Sequence, residues 1–189
     1  MNHLDIDLAY LRLANHVLAE YILIPETYRS LTPVKGSDIA GGLSQLTIGN
    51  ILLSLRRLQA ISLSETEQTE LTELCKQIEQ VRNRWRANWE RKARHERSDR
   101  LRLWQIYLRD LAADKKWNLR SYPVQVRLRV IIYLLNEEIG ASIPGEMTIL
   151  DQQDSLMRSI SSRGPFIWEE ELASGFPEDT YWFLYRSFN

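Results

Sequence analysis

Residues 64–89 read SETEQTELTELCKQIEQVRNRWRANW, and the fold predicted for the whole chain depends most on this segment. Ser64 is followed three residues later by Glu67, which is the capping-box signature of a helix N-terminus. The apolar residues that follow recur at spacings of three and four, which is the period of one helix face. Neither Gly nor Pro interrupts the chain between Ser64 and Tyr122. The sequence therefore predicts one very long helix, residues 64–116.

The apolar stripe of this predicted helix has one gap. The stripe comprises Leu71, Leu74, Ile78, Val81, Trp85 and Trp89, and it resumes with Leu101, Trp104, Leu108 and Leu111. Between Glu90 and Arg100 the only apolar residue is Ala93. Two interpretations stay open, because the helix either crosses solvent in this interval or breaks near Ser98 and Asp99.

Two shorter helices are predicted ahead of the long one. The first covers residues 5–24 and ends before Pro25, because proline cannot continue a helix. The second starts at Ser37, whose side chain suits an N-cap, and extends to about Leu58. Both helices carry apolar residues on one side, so both are expected to pack against a common core.

After the long helix, residues 121–139 are predicted to form a helix that returns along it as a hairpin. Pro123 suits a first helical turn and Gly140 suits the helix stop. Residues 124–130 also alternate between apolar and polar side chains, which is a strand pattern. A lone strand would have no partner elsewhere in the chain, so the helix is the preferred interpretation.

The remaining residues complete the prediction of an all-α fold. Residues 148–160 are expected to form a further short helix, and residues 166–189 an aromatic tail that docks on a surface. The result is a helical bundle of about five helices with one very long central helix. The chain has 189 residues, 44% hydrophobic and 26% charged, which is the balance of a single globular domain. Its expected sub-regions are 1–62, 64–140 and 141–189.

The composition argues against several classes of protein. A single cysteine, Cys75, rules out an internal disulfide and a cysteine-based zinc site. Asp5 and Asp7 interrupt the apolar N-terminal segment, which therefore does not resemble a signal peptide. No run of about 18 uncharged apolar residues occurs, so no membrane helix is predicted. We expect a cytoplasmic protein without membrane contact.

No catalytic residue, metal ligand or cofactor is predicted. The histidines are His3, His16 and His95, and none belongs to a metal-binding motif. Glycine-rich phosphate loops, dinucleotide fingerprints and nucleophile elbows are also missing from the sequence. A non-catalytic protein is therefore the main prediction. A helical-bundle enzyme with a carboxylate-bound metal is kept as an alternative.

The charge of the predicted long helix reverses along its length. It is acidic from Glu65 to Glu79 and basic from Arg82 to Arg102. About 50 residues at about 1.5 Å each make a rod of roughly 75 Å, which neighbours of roughly 30 Å cannot cover. Two rods lying side by side in opposite directions would match opposite charges. The sequence thus predicts an interaction or assembly protein that forms an antiparallel homodimer or binds another protein.

Aromatic anchors and neighbouring arginines are the residues expected at such an interface. In the homodimer, Trp85 and Trp89 are predicted to lie near the two-fold axis. The full set of predicted interaction residues is Trp85, Trp89, Arg82, Arg86, Trp104, Tyr181, Trp182 and Tyr185.

Arginines interleaved with tryptophans are also typical of proteins that bind single-stranded nucleic acid. The alternative is thus an accessory subunit that binds nucleic acid through the stretch 82–102. Its predicted contact residues are Arg82, Arg84, Arg86, Arg91 and Arg94. A pI of about 6.3 and the interspersed acidic residues weigh against this alternative. The acidic segment 146–189 is a further candidate to cover the basic half of the helix from within the chain.

Overall fold

The computed structural model describes residues 3–31, 45–114, 118–140 and 144–188, and the predicted all-α fold is confirmed. The helices are α1 (His3–Leu23), α2 (Ile48–Ala60), α3 (Glu65–Arg84), α4 (Arg86–Ala113), α5 (Tyr122–Gln125), α6 (Arg127–Ile139), α7 (Pro144–Ile160) and α8 (Glu178–Tyr181). Short 3₁₀ turns occupy Leu119–Ser121, Glu170–Gly175 and Trp182–Leu184. The strands are two residues each, and they pair antiparallel as β1 (Arg29–Ser30) with β2 (Gln45–Leu46) and as β3 (Ser162–Arg163) with β4 (Arg186–Ser187).

The predicted continuous helix 64–116 is corrected to two helices, α3 and α4. The predicted start is right, because Ser64 and Glu67 form the complete capping box. Trp85 interrupts the helix with φ −121° and ψ 36°, although its N–H still donates to the carbonyl of Val81. No glycine or proline marks this position, so the interruption had no local signal. Residues 115 and 116 lie outside the described residues.

The polar interval between Glu90 and Arg100 follows neither of the two interpretations. The helix does not break near Ser98 and Asp99, because α4 is continuous from Arg86 to Ala113. The interval is not bare either. Three of its charged residues are nearly inaccessible to solvent, namely Lys92 at 2% exposure, Glu96 at 0% and Arg97 at 3%. The chain therefore buries the charged face that was expected to lack cover.

Contacts divide the chain into two compact units, Met1–Glu96 and Arg97–Asn189, with the boundary inside α4. In the N-terminal unit, α1 packs against both α2 and α3. The core residues of this unit include Leu11, Leu18, Ile22, Ile51, Leu58, Leu71 and Ile78. Thr47 caps α2 by accepting a hydrogen bond from the N–H of Asn50. The helix predicted over residues 37–58 is corrected at its start, because Gln45 and Leu46 pair with β1 as a strand and α2 begins at Ile48. Ser37 itself lies outside the described residues.

In the C-terminal unit, the second half of α4 and the α5–α6 segment form the predicted helical hairpin. Arg97 donates to the side chain of Asn136 at 3.3 Å, while the rings of Tyr107 and Tyr122 stack at 6.5 Å. The later residue of α4, Tyr107, contacts the earlier residue of the returning segment, Tyr122. The two helical segments therefore run antiparallel. The residues with strand-like alternation are helical, with a joint at Val126 between α5 and α6.

The aromatic C-terminal segment docks on its own unit. The hydroxyl of Tyr122 donates to the carbonyl of Phe183, and the indole of Trp168 donates to the carbonyl of Pro123 at 2.8 Å. Gly164 permits the close β3–β4 pairing, because a Cβ there would lie 2.8 Å from Ser187 atoms. Within the described ranges, no helix combines the length and apolar character needed to cross a bilayer.

Candidate functional site

Burial separates the predicted interaction residues into two groups. Trp89 is 1% exposed, and Trp104 and Tyr181 are 0% exposed. These three side chains belong to the cores of their units and have no surface to offer a partner in this conformation. Trp85, Arg82, Trp182 and Tyr185 are half-buried, and Arg86 is exposed.

Lys92 is the first of the buried charges of α4, and its ammonium group faces α1. It lies over the ring of Tyr21 at 4.2 Å from the centroid and donates to the carbonyl of Glu26. Burial lowers the pKa of Lys92, because desolvation penalises the charged amine. Burial likewise raises the pKa of the Tyr21 hydroxyl, with the charge of Glu96 adding to the effect. The cation–π contact and the carbonyl supply part of the stabilisation that water would give.

Glu96 is the second buried charge, and it binds the N-terminus of α2. Its carboxylate accepts a hydrogen bond of 2.7 Å from the backbone N–H of Gly49. The first N–H groups of a helix have no partner within the helix, and the helix dipole favours an anion at this end. The carboxylate therefore occupies a position where its charge is stabilised even though it is fully buried.

Arg97 and its neighbour Ser98 bind within the C-terminal unit. Glu146 accepts a hydrogen bond from the Arg97 guanidinium and one of 2.6 Å from the Ser98 hydroxyl. Asn136 also accepts from Arg97. An acidic residue of the C-terminal segment thus covers one arginine of the basic stretch. The polar interval of α4 needs no second chain to satisfy these charges.

Several arginines lie around the junction of α3 and α4. Arg84, Arg86 and Arg91 are exposed, whereas Arg82 and Arg94 are half-buried. The Arg84 guanidinium stacks over the half-buried Trp85 indole at 5.3 Å. Glu90 accepts from Arg86 at 3.0 Å and from Arg94 at 2.9 Å, and these two hydrogen bonds lower the pKa of the Glu90 carboxyl. We call this surface the basic junction. Its arginines are those predicted for the nucleic-acid alternative: Arg82, Arg84, Arg86, Arg91 and Arg94.

The outer face of α3 carries a ladder that the search for single motifs missed. Its members are spaced by three or four residues and all are exposed: Glu65, Thr69, Glu73, Lys76, Gln80 and Arg84. Charge along this face changes from acidic to basic toward the C-terminus. A shallow cleft lies at its acidic end, and its lining includes Thr66 and Leu74. The spacing of three and four residues is the sequence signal that identifies the ladder.

Side chains that could hold a metal ion or act as a nucleophile do not form a cluster among the described residues. In the described ranges, no three His, Cys, Asp or Glu side chains lie close enough together to hold a metal ion. His16 and His95 are exposed. Burial raises the pKa of the half-buried Cys75 thiol, and the charge of Glu79 raises it further. A raised pKa disfavours the nucleophilic thiolate.

Comparison with known proteins yields no relative. No family model matches the chain, and no match is found among curated proteins or solved structures. Its function is therefore inferred from the surfaces described above.

Proposed function

We propose that this chain is a non-catalytic interaction protein that self-associates through the outer face of α3, with two copies antiparallel. The observation that carries the proposal is the self-complementary order of the ladder on that face. The sequence alone predicts a dimer whose interface extends along the whole helix 64–116. The interface proposed from the structure is limited to α3, which is about 30 Å long at about 1.5 Å per residue.

The ladder matches itself when two α3 helices run in opposite directions. The opposed pairs are Glu65 with Arg84, Thr69 with Gln80, and Glu73 with Lys76. Every acidic residue of the ladder then faces a basic one, and the uncharged members face each other. A two-fold axis repeats each pair, so every complementary contact occurs on both sides of the axis. A parallel arrangement in register would instead oppose identical charges.

The two-fold axis of this arrangement passes between Leu74 and Cys75, in the middle of α3. Trp85 follows the last member of the ladder, so in this arrangement it lies level with the first turn of the second copy. The shallow cleft lined by Thr66 and Leu74 lies close to that turn. A half-buried tryptophan beside this cleft, which Leu74 lines together with Glu and Thr side chains, is a suitable anchor at each end of the interface. Trp89 takes no part, because it is a core residue.

The association is expected to be weak. Exposed ion pairs contribute only about 0 to 1 kcal/mol each, and side chains must be ordered to form them. For a small interface of this kind we expect a dissociation constant in roughly the micromolar range. The affinity should fall with salt, because the ladder is exposed and charges separated by water are screened.

Charge reversal tests the register. Arg84→Glu is expected to weaken self-association at least about tenfold, because it places like charges opposite one another at two symmetric points. Glu65→Arg should do the same. The double variant Glu65→Arg with Arg84→Glu should recover most of the affinity, since it restores opposite charges. Sedimentation velocity over a concentration series measures all three effects.

The control for this experiment is Asp151→Arg, which makes the same change of charge as Glu65→Arg at an exposed position of α7. It should leave the dissociation constant within about twofold. A monomeric wild-type chain at high micromolar concentration would contradict the proposal. So would a double variant that associates no better than the two single variants.

A second candidate function, binding of single-stranded nucleic acid, is supported by the basic junction. Arg84 stacked on the partly exposed Trp85 offers a cation next to an aromatic surface. If this function is right, a labelled oligonucleotide binds at low salt, and affinity falls steeply as salt rises. Arg91→Gln should then reduce the slope of log affinity against log salt by about 0.7, as expected for one lost phosphate contact. Binding insensitive to this substitution would count against it.

A further inference from the structure

We infer that the C-terminal unit carries a binding site for a single phosphoryl group, at a surface cleft over Trp182. The cleft is lined by Arg158, Arg163, Glu178, Asp179, Trp182 and Arg186. It lies in residues 158–186, whereas the proposed association surface is on α3. The two proposals therefore stand or fall independently.

Two guanidinium groups are organised around one indole ring. The Arg158 guanidinium lies 3.9 Å from the centroid of Trp182, and that of Arg186 lies at 5.6 Å. Ser161 fixes Arg186, accepting one hydrogen bond of 3.0 Å at its hydroxyl and one of 2.7 Å at its carbonyl. Stacking on the indole leaves the N–H edges of Arg158 directed away from the ring, where they can bind an anion. Arg186 already uses its Nε and one terminal nitrogen on Ser161, so it has fewer N–H groups left for the anion.

The fold brings like charges together at this cleft. In the β3–β4 pair, Arg163 lies directly opposite Arg186, and like charges at opposed positions destabilise a sheet. Arg158 adds a third guanidinium from α7, and it has no carboxylate partner among the residues that the structure describes. A bound anion would relieve this repulsion.

The carboxylates at the cleft compensate the arginines only in part. Glu178 accepts two hydrogen bonds of 2.7 Å from Arg163, and this pairing lowers the pKa of its carboxyl. Arg163 and Glu178 also line a second cleft, which contains Phe166 and Tyr185. The ion pair thus separates a cationic cleft from an aromatic one.

The charge of the cleft and the carboxylates near it favour binding of one phosphoryl group over binding of a polyanion. A phosphoryl monoester carries a charge of about −1.5 to −2 near neutral pH, which matches more than one arginine. Asp179 lines this cleft and Glu170 lines the adjoining one, so each further anionic group of a long chain would add repulsion from these carboxylates. Inorganic phosphate and a phosphorylated side chain of a partner share the chemistry that the arginines recognise.

Side-chain NMR of the full ¹⁵N-labelled chain tests the site. Inorganic phosphate and phenyl phosphate are titrated at constant ionic strength while the indole N–H of Trp182 and the Nε–H of Arg158 are followed. Saturable shifts are expected with both probes. Tighter binding of phenyl phosphate identifies a phosphorylated aromatic side chain as the source, since the ring can use the Phe166 cleft. Equal binding identifies free phosphate.

Matched arginine variants complete the test. Arg158→Gln should weaken phosphate binding about tenfold or more, because a charged hydrogen-bond donor is lost. Arg109→Gln removes an equally charged side chain that is 75% exposed and lies outside the cleft, and binding should stay within about twofold. Arg158 is exposed, so the amide spectrum should show a folded variant. Shifts that do not saturate, that chloride reproduces, or that Arg158→Gln leaves unchanged would overturn the proposal.

Discussion

Replacing Asp154 with alanine is expected to lower the free energy of unfolding by about 3 to 5 kcal/mol. Asp154 accepts hydrogen bonds of 2.9 and 2.8 Å from Arg129, and the two residues are only 8% and 7% exposed. The guanidinium also lies 4.5 Å from the centroid of Phe183. Without the carboxylate, Arg129 would remain buried as an uncompensated charge. Urea denaturation followed by tryptophan fluorescence measures the loss.

The chain contains a matched control for this prediction. Arg163 and Glu178 form a pair with the same bidentate geometry, but the Arg163 side chain is 79% exposed. Glu178→Gln should therefore lower the free energy of unfolding far less than Asp154→Ala does, because water solvates the remaining charge. Replacing both buried partners, with Arg129→Met and Asp154→Leu, should recover much of the stability lost in the single variant. Equal losses for Asp154→Ala and Glu178→Gln would show that burial does not govern the pair.

Trp89→Ala is expected to destabilise the chain by about 3 to 5 kcal/mol, whereas Trp85→Ala should cost about 1 kcal/mol or less. Trp89 is 1% exposed, so its removal leaves a cavity in the N-terminal unit. Trp85 is half-buried at the junction of α3 and α4, where solvent can fill the space. Thermal unfolding monitored by circular dichroism compares the two variants.

These two tryptophans also separate stability from association. Trp85→Ala should weaken the proposed dimer while the monomer stays folded, since Trp85 is the anchor at each end of the α3 interface. A similar loss of stability for the two variants would contradict the burial difference. If Trp85→Ala associates as strongly as the wild-type chain, Trp85 is not part of the interface. The charged ladder alone would then account for self-association.

Much of the secondary structure was predictable because its signals are local. The capping box at Ser64, the stop at Gly140 and the proline at the start of α5 each act within a few residues. Gly140 adopts φ 58°, a left-handed conformation that glycine reaches without strain. The interruption at Trp85 carried no such signal. A run without Gly or Pro permits a continuous helix but does not enforce one.

The candidate surfaces were predictable only in part. The α3 ladder is a matter of helical spacing and can be found in the sequence alone. The cleft over Trp182 cannot, because its arginines come from α7, β3 and β4 and meet only in the folded unit. Trp85 and Trp89 occupy equivalent places in the apolar stripe, yet one is half-buried and the other is core.

The sequence by itself determined that this chain is helical, where several of its helices begin or end, and how charge reverses along α3. Only the tertiary structure decided which charges are buried. Glu96 binds the N–H of Gly49 across 47 positions of the chain, and Arg97 binds Glu146 across 49. A charged residue is buried only where distant groups replace its water, so its position in a helical pattern cannot reveal its burial.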